Sequence, residues 1–242
     1  MLMTFRHNRR SPRRYAMQYP MVIEGRFISR PNRFIAIVDI DGTETRCHVK
    51  NTGRCRELLV KGATVYLSVP ENPNRSTPYD LVAVMKGKRL VNMDSQIPNA
   101  AVAESLKTIP MFSRVTDIRR EYTYGNSRID IYAEDDGNRY LIEVKGVTLE
   151  DDGVVRFPDA PTERGVKHVR ELVSSMKDGY VPCLLFVIQM DDVRYFEPNR
   201  ATDPEFADAL RKAEEAGVKI LAYTCEVTPD SMTLKEPVEV RI

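Results

Sequence analysis

Six consecutive apolar residues, Cys183-Leu-Leu-Phe-Val-Ile188, leave this chain few folds to choose from. A strand without a polar face must be covered on both sides, as in the interior of a sheet flanked by helices. The neighbouring sequence agrees. Val166, Val169, Leu172, Val173 and Met176 recur at helical spacing within Thr162–Lys177. Asp203-Pro204 reads as a helix start, with a capping carboxylate and proline at the first helical position, and Gly217 as its end. Val218–Tyr223 is expected as the closing strand. Upstream, Pro98 opens a helical stretch, Asn99–Lys107, ended by Pro110. Strands are expected at Arg119–Tyr124, Arg128–Ala133 and Tyr140–Val147, with turns at Gly125-Asn126 and Asp136-Gly137. A loop holding Gly153 and Pro158 leads to the next helix. The order is α-β-β-β-α-β, then α-β.

Residues 20–92 have a different character. Short strands are expected at Met21–Ile28, Phe34–Ile40, Thr43–Val49, Thr64–Val69 and Leu81–Met85. Asp41-Gly42 marks a tight hairpin whose two turn residues need positive φ, and the ENPNRSTP stretch at 71–78 is a loop by composition. Five short strands in about 70 residues suggest a small closed barrel of the OB type. The fold class is therefore α/β (α+β overall), a small OB-like barrel followed by an α/β domain with a central sheet. The expected boundaries are 1–19 for a basic extension, 20–92 for the barrel and 93–242 for the α/β domain, with a seam at Met93–Pro98.

Charge separates the same parts. Residues 1–61 hold 13 Lys+Arg against 5 Asp+Glu, and the remainder holds 23 against 30. Arg6, Arg9, Arg10, Arg13 and Arg14 supply much of the excess, so a solvated basic tail is one reading and a basic module the other. Hydrophobic residues at 42% and charged residues at 29% exclude a disordered or collagenous chain. No window approaches the roughly 18 apolar residues of a membrane span, and the basic start is not followed by a signal-type apolar run. With four cysteines and no Cys-x-x-Cys pair, a disulfide scaffold or zinc site is not expected, and a reducing cytoplasmic location is. A Gly-rich nucleotide loop and a serine-hydrolase elbow are both absent from the sequence.

The chemistry concentrates in two strands. In Arg128-Ile-Asp130-Ile131 and Leu141-Ile-Glu143-Val-Lys145, side chains alternate between faces. Ile129 and Ile131 are expected on one side and Asp130 on the other; Ile142 and Val144 likewise oppose Glu143 and Lys145. Three charges in otherwise apolar strands need each other, a metal or a ligand, because unpaired buried charge is costly. Phosphodiester hydrolysis wants this set. Asp130 and Glu143 would hold Mg²⁺ (or Mn²⁺) through oxygen ligands, and Lys145 would orient the attacking water or offset developing charge. Glu143-Val-Lys145 is the only acid-x-Lys triplet in the sequence. Glu104 is a candidate third acid or a solvent-facing helix charge.

At this point the chain resembles the PD-(D/E)xK nuclease superfamily and, over residues 20–235, the sugar fermentation stimulation protein A family. The motifs are Asn51-Thr-Gly-Arg54, Asn92–Asn99, Tyr124–Asp130, Tyr140–Thr148, Phe157–His168 and Leu184–Gln189. The resemblance implies an N-terminal OB-like module, a C-terminal nuclease-like module with a central mixed sheet, non-specific DNA binding, and a role in regulating sugar (maltose) metabolism. Residues 1–16 extend beyond the family's usual start, and Lys50 stands where the family pattern has proline. The two functional readings are a metal-dependent DNA nuclease and a non-catalytic, non-specific DNA-binding regulator. Neither reading sets an oligomeric state, and no membrane partner is expected.

Further candidates extend the site. Thr162, Arg164, Lys167 and His168 open a helix, where free N–H groups and cations attract phosphate. The alternative is a Glu163–Lys167 pair beside a partly buried histidine. His168 is either a proton shuttle or a structural hydrogen-bonder. Arg26, Phe27, Arg30, Arg33 and Phe34 interleave cations with aromatics as single-strand binders do, with one phenylalanine of the pair expected in the core. Asn51-Thr-Gly53 with Arg54 reads as a shaped loop, Gly53 taking an unusual backbone conformation, with nucleic-acid contact a secondary reading.

Overall fold

The computed structural model describes residues 18–72 and 74–242. The basic extension thus lies outside the described residues except for Gln18 and Tyr19. These two are not tail: the Tyr19 N–H donates to Asp230 O at 2.7 Å, and its ring is buried.

Strands β1 (Val22–Asn32), β2 (Ile35–Ile40), β3 (Thr43–Val49), β4 (Thr64–Ser68), β5 (Asp80–Lys86) and β6 (Arg89–Asn92) form the first sheet in the order β3-β2-β1-β4-β5-β6. A parallel pairing of β3 with β5 (His48↔Asp80, Val49↔Leu81) closes five of them into a barrel. The hairpin at Asp41-Gly42 forms as its sequence requires, with φ of 51° and 83°. The interior is filled by Phe27, Ala36, Val38, Cys47, Val65, Leu67 and Val84.

The α/β domain begins with α1 (Ile97–Ser105). Then come β7 (Asp117–Tyr124), β8 (Ser127–Glu134), β9 (Arg139–Val147), β10 (Leu149–Asp151) and β11 (Val154–Phe157). Helix α2 (Glu163–Ser175), β12 (Val181–Ile188), β13 (Tyr195–Pro198), α3 (Pro204–Ala216), β14 (Lys219–Thr228), β15 (Ser231–Pro237) and β16 (Glu239–Val240) complete it. The central sheet runs β15-β14-β12-β9-β8-β7, with β9, β12 and β14 parallel and the outer pairings antiparallel. Strand β12 is buried almost throughout, as its apolar run demands. One face of the sheet packs against α2 and α3 through Leu184, Phe186, Val166, Val169 and Phe206; the other packs against α1 through Ile142, Val144, Leu185, Ala101 and Val102.

Three expectations change. The segment after β9 is not a simple loop: β10 and β11 form a hairpin around Asp152 (φ 48°) and Gly153 (φ 75°), and join β13 and β16 in a second, four-stranded sheet. Strand β14 does not close the fold, because β15 pairs antiparallel on its outer edge. Ile129 and Ile131 do not share a face. Ile129 packs in the cluster of Leu141 and Leu184, and Ile131 in that of Ile142 and Leu185. Opposite Asp130 the β7–β8 ladder skips a pair, and Glu121 there has φ 58°. The same position is where β8 parts from β9, whose ladder with β8 ends at Ile131↔Ile142.

The seam between the barrel and the α/β domain is a buried polar knot. Asp94, fully buried, accepts from Tyr19 Oη at 3.1 Å and lies 2.7 Å from Lys50 Nζ. Gln189 Nε2 donates to Asn92 Oδ1 (3.1 Å) and Asp94 O (3.0 Å). Lys50 thus has a structural task at the seam.

Candidate nuclease-type site

The β8–β9 ladder ends at Ile131↔Ile142. Beyond it β8 continues with β7 to Ser127, while β9 continues with β12 to Val147. The sheet forks, and the next register position brings Asp130 opposite Glu143. Asp130 Oδ2 accepts from the Val144 N–H at 2.8 Å, and Oδ1 accepts from Asn99 Nδ2 of α1 at 2.6 Å. Burial, then the neighbouring Glu143 charge, push the Asp130 carboxyl above its ordinary range despite those donors.

Glu143 is 2% exposed. Its Oε1 accepts from Lys145 Nζ at 2.6 Å and from His168 Nδ1 of α2. Burial works against its charge, but the donors from His168 and Lys145 outweigh burial and hold the carboxyl below its ordinary range. Glu143 Oε2 is buried and has no hydrogen-bond partner. His168 Nε2 lies 3.3 Å from the Arg164 Nε–H, so the ring fits a proton on Nδ1 and an acceptor at Nε2. Thr162 caps α2 by accepting from the Gly165 N–H at 3.0 Å. The Thr162 N–H is held by Asp203 Oδ2 (2.8 Å), whose Oδ1 caps α3 at Phe206 N (2.9 Å).

The structure therefore brings Asp130, Glu143, Lys145, His168 and Arg164 together. Lys167 stands apart: it is exposed and its partner is Glu171 at 3.6 Å, not Glu163. Glu104 is exposed on α1, and no polar partner of its side chain is found among the described residues. Asn99 and Gln189 were not singled out from the sequence. Asn99 follows Pro98 at the start of a helix, where a polar side chain is unremarkable. Gln189 ends the apolar run of β12, and that abrupt polar residue was the available signal.

On the barrel the expected basic set divides. Phe27 is core, as one phenylalanine of the pair was expected to be, while Phe34 is 51% exposed. Arg26 is exposed, donates to Thr64 Oγ1, and lies 3.6 Å from Glu24. Arg30 departs from the expected DNA contact. Its guanidinium donates to the carbonyls of Arg33 (2.7 Å), Asn51 (2.7 Å), Gly53 (2.9 Å) and Arg54 (2.8 Å), so its four terminal N–H bonds are used inside the protein. Arg33 and Arg54 are exposed. Gly53 does not have positive φ; Cys55 does, at 45°. Gly53 is needed for space, since a Cβ there would lie 2.6 Å from Asp159 Oδ2 and 2.9 Å from Asn51 Oδ1.

Comparison with known proteins settles the family. A model described as the sugar fermentation stimulation protein RE domain matches residues 96–231, and one described as the SfsA N-terminal OB domain matches residues 28–93. The chain belongs to the sugar fermentation stimulation protein family. Homologues of that protein from Desulfitobacterium hafniense strain Y51 and Clostridium beijerinckii are 53% and 52% identical over 226 and 224 residues, each covering 93% of this chain and 99% of the relative. The structure of Pyrococcus furiosus SfsA in complex with Ca²⁺ superposes with a TM-score of 0.84 at 26% identity, covering 94% of this chain and 99% of that one. The family architecture is an OB-like barrel joined to a PD-(D/E)xK nuclease-like domain. Among the described residues, no group of three or more His, Cys, Asp or Glu side chains forms a metal cage, and no helix is long and apolar enough to cross a membrane.

Proposed function

We propose that this family member is a divalent-metal-dependent hydrolase of DNA phosphodiesters, with Mg²⁺ or Mn²⁺ held by Asp130 and Glu143. The observation that carries this reading is the buried, unpartnered Glu143 Oε2 beside an Asp130 whose carboxyl is pushed up by burial and by Glu143. A buried acceptor without a partner loses its full desolvation free energy, and a hard cation restores it. Two carboxylates fit Mg²⁺, which keeps several waters and needs no all-protein cage. The Ca²⁺ in the Pyrococcus furiosus SfsA structure supports the same class of ion, since both cations take oxygen ligands.

When bound, the metal supplies Lewis acidity at the phosphoryl oxygen and a water acidified toward neutrality. The chain's own residues then have separable tasks. His168 and Lys145 both occupy Glu143 Oε1, so Oε2 is the oxygen that would hold the ion. Asn99 and the Val144 N–H fix the Asp130 carboxylate at the fork. Lys145 uses one N–H on Glu143 and retains others for the attacking water or the phosphoryl oxygen. Arg164, through Nε on His168, keeps its terminal N–H groups for phosphate at the start of α2. Lys167 adds exposed positive charge to that helix end.

The test is cleavage of single-stranded, duplex and flap DNA in Mg²⁺, Mn²⁺ or EDTA. Metal-dependent products with the wild type, lost in Asp130→Asn, are expected. DNA binding without cleavage in any metal would overturn the enzymatic reading and leave a binding protein.

A further inference from the structure

The barrel carries a basic pocket with a specific construction. A cleft of about 330 Å³ is lined by Arg30, Arg33, Arg54 and Arg56, with Thr52 and Gly53 on one wall and no acidic side chain in the lining. Arg30 forms its base, drawing in the carbonyls of both loops that bound it. The guanidiniums of Arg33, Arg54 and Arg56 are exposed and make no hydrogen bond or ion pair among the described residues. The nearby Asp159 carboxylate accepts from the Arg54 backbone N–H at 2.8 Å and lines the adjoining cleft, one negative charge against three guanidiniums. Three free guanidiniums over a pocket with no acid in its lining leave net positive charge there and call for a ligand with several negative charges. Phe34, next in sequence to Arg33, is half exposed and leaves an aromatic face open to solvent on the same module.

The pocket is not isolated. A second cleft, of about 320 Å³, shares Thr52 and Gly53 with it and runs between the modules. Its other walls include Gly146, which follows Lys145, and Thr162, which caps the helix carrying Arg164 and His168. The arginine pocket thus opens, past Thr52 and Gly53, into the inter-module cleft that reaches the residue after Lys145 and the cap of α2.

We infer that Arg33, Arg54 and Arg56 form a backbone-phosphate subsite for a single-stranded segment of nucleic acid, which continues through the inter-module cleft to the site at Asp130 and Glu143. This rests on the nuclease reading for its far end, whereas the pocket itself is tested by binding alone. A single strand is favoured over a duplex because the exposed Phe34 ring, adjacent in sequence to Arg33, offers a face to unstacked bases, and duplex bases are already stacked.

The experiment uses the full chain with Asp130→Asn, so that nothing is cut. Fluorescence anisotropy measures binding of a labelled oligothymidylate of about 12 nucleotides, within the range an OB-fold site accommodates, against a range of salt concentrations. The double variant Arg33→Ala/Arg56→Ala is expected to flatten the log–log salt slope by about 1.4 and weaken binding about 25-fold at 0.1 M salt, from roughly 0.7 counterions released per phosphate contact. Phe34→Ala is expected to weaken the single strand at least about fivefold and leave a duplex of the same length unaffected. Arg211→Ala/Lys212→Ala, a charge-matched double change on α3, serves as the control. An unchanged slope in the double variant would overturn the subsite, and equal dependence of duplex and single strand on Phe34 would overturn the strand preference. Failure of this pocket with metal-dependent cleavage intact would leave the nuclease reading standing. Pocket-dependent binding without cleavage in any metal would do the reverse.

Discussion

Gly146→Ala tests how the seam holds the strand that carries Glu143 and Lys145. A Cβ at Gly146 would stand 2.5 Å from Gln189 Oε1 and 3.0 Å from Pro98 Cγ, where ordinary contact begins near 3.4 Å. The Gln189 amide must retreat by about 1 Å, and it has little room, being 1% exposed. Its hydrogen bonds to Asn92 Oδ1 and Asp94 O, at 3.1 and 3.0 Å, would stretch beyond useful range. Two bonds at about 1 kcal/mol each and overpacking of roughly 1–3 kcal/mol give a destabilisation of about 3–5 kcal/mol. Urea unfolding measures it, with Gln189→Ala as the second arm of a double-mutant cycle. In the Gln189→Ala background the added methyl meets no amide, so the cost of Gly146→Ala should fall by at least about 1.5 kcal/mol. A single variant within about 0.5 kcal/mol of wild type, or a cost unchanged by Gln189→Ala, would refute the reasoning.

Other perturbations reach separate parts of the molecule. Lys145→Ala should lower the cleavage rate about 10²–10³-fold, as loss of one preorganised donor does, while DNA affinity measured in EDTA stays within about threefold, a factor worth ~0.7 kcal/mol; a parallel loss of affinity would make Lys145 a binding residue. Arg30→Ala should cost about 3 kcal/mol, set mainly by the less exposed bonds to Gly53 and Asn51, and a chemical denaturation midpoint equal to wild type would contradict its loop-building task. Asp203→Ala removes the α3 cap and the Thr162 tether together, for about 2 kcal/mol, and circular dichroism melting reads it. Asp80 is paired with Arg75 at 2.6 Å and His48 at 3.0 Å; burial raises its carboxyl, but these donors win and hold it below 3.8. Its stabilisation is complete above the unfolded value and vanishes as pH falls through the lower folded one. Asp80→Asn should therefore be less stable than wild type at neutral pH and show a shallower loss below about pH 4, and equal slopes would contradict the assignment.

Much of this arrangement is written in local patterns. The apolar run of β12 demanded cover on both faces and received it. Asp41-Gly42, Asp203-Pro204 and Gly217 each formed the turn or helix end their chemistry requires. The carboxylate pair was visible because charges interrupt apolar strands. What stayed hidden depends on partners distant in sequence or on backbone conformation. The face swap at Ile129 falls where β8 parts from β9, a fork that no local pattern announces. Arg30 looked like a nucleic-acid contact because its true partners are backbone carbonyls, which no side-chain pattern encodes. Lys50, Asp94 and Gln189 meet only after the two modules dock. The β10–β11 hairpin reads as a loop although Asp152-Gly153 repeats the turn dipeptide of Asp41-Gly42, because its strands of three and four residues carry little periodicity.

Under the proposed function, Asp130 and Glu143 together seat one divalent ion. Electron paramagnetic resonance of added Mn²⁺ reads this without DNA or turnover, because free Mn²⁺ loses its sharp signal on binding. One Mn²⁺ bound per chain, abolished by Glu143→Gln and by Asp130→Asn in folded protein, is the expected result. A wild type that leaves all Mn²⁺ free, or variants that bind it as tightly as wild type, would contradict the account.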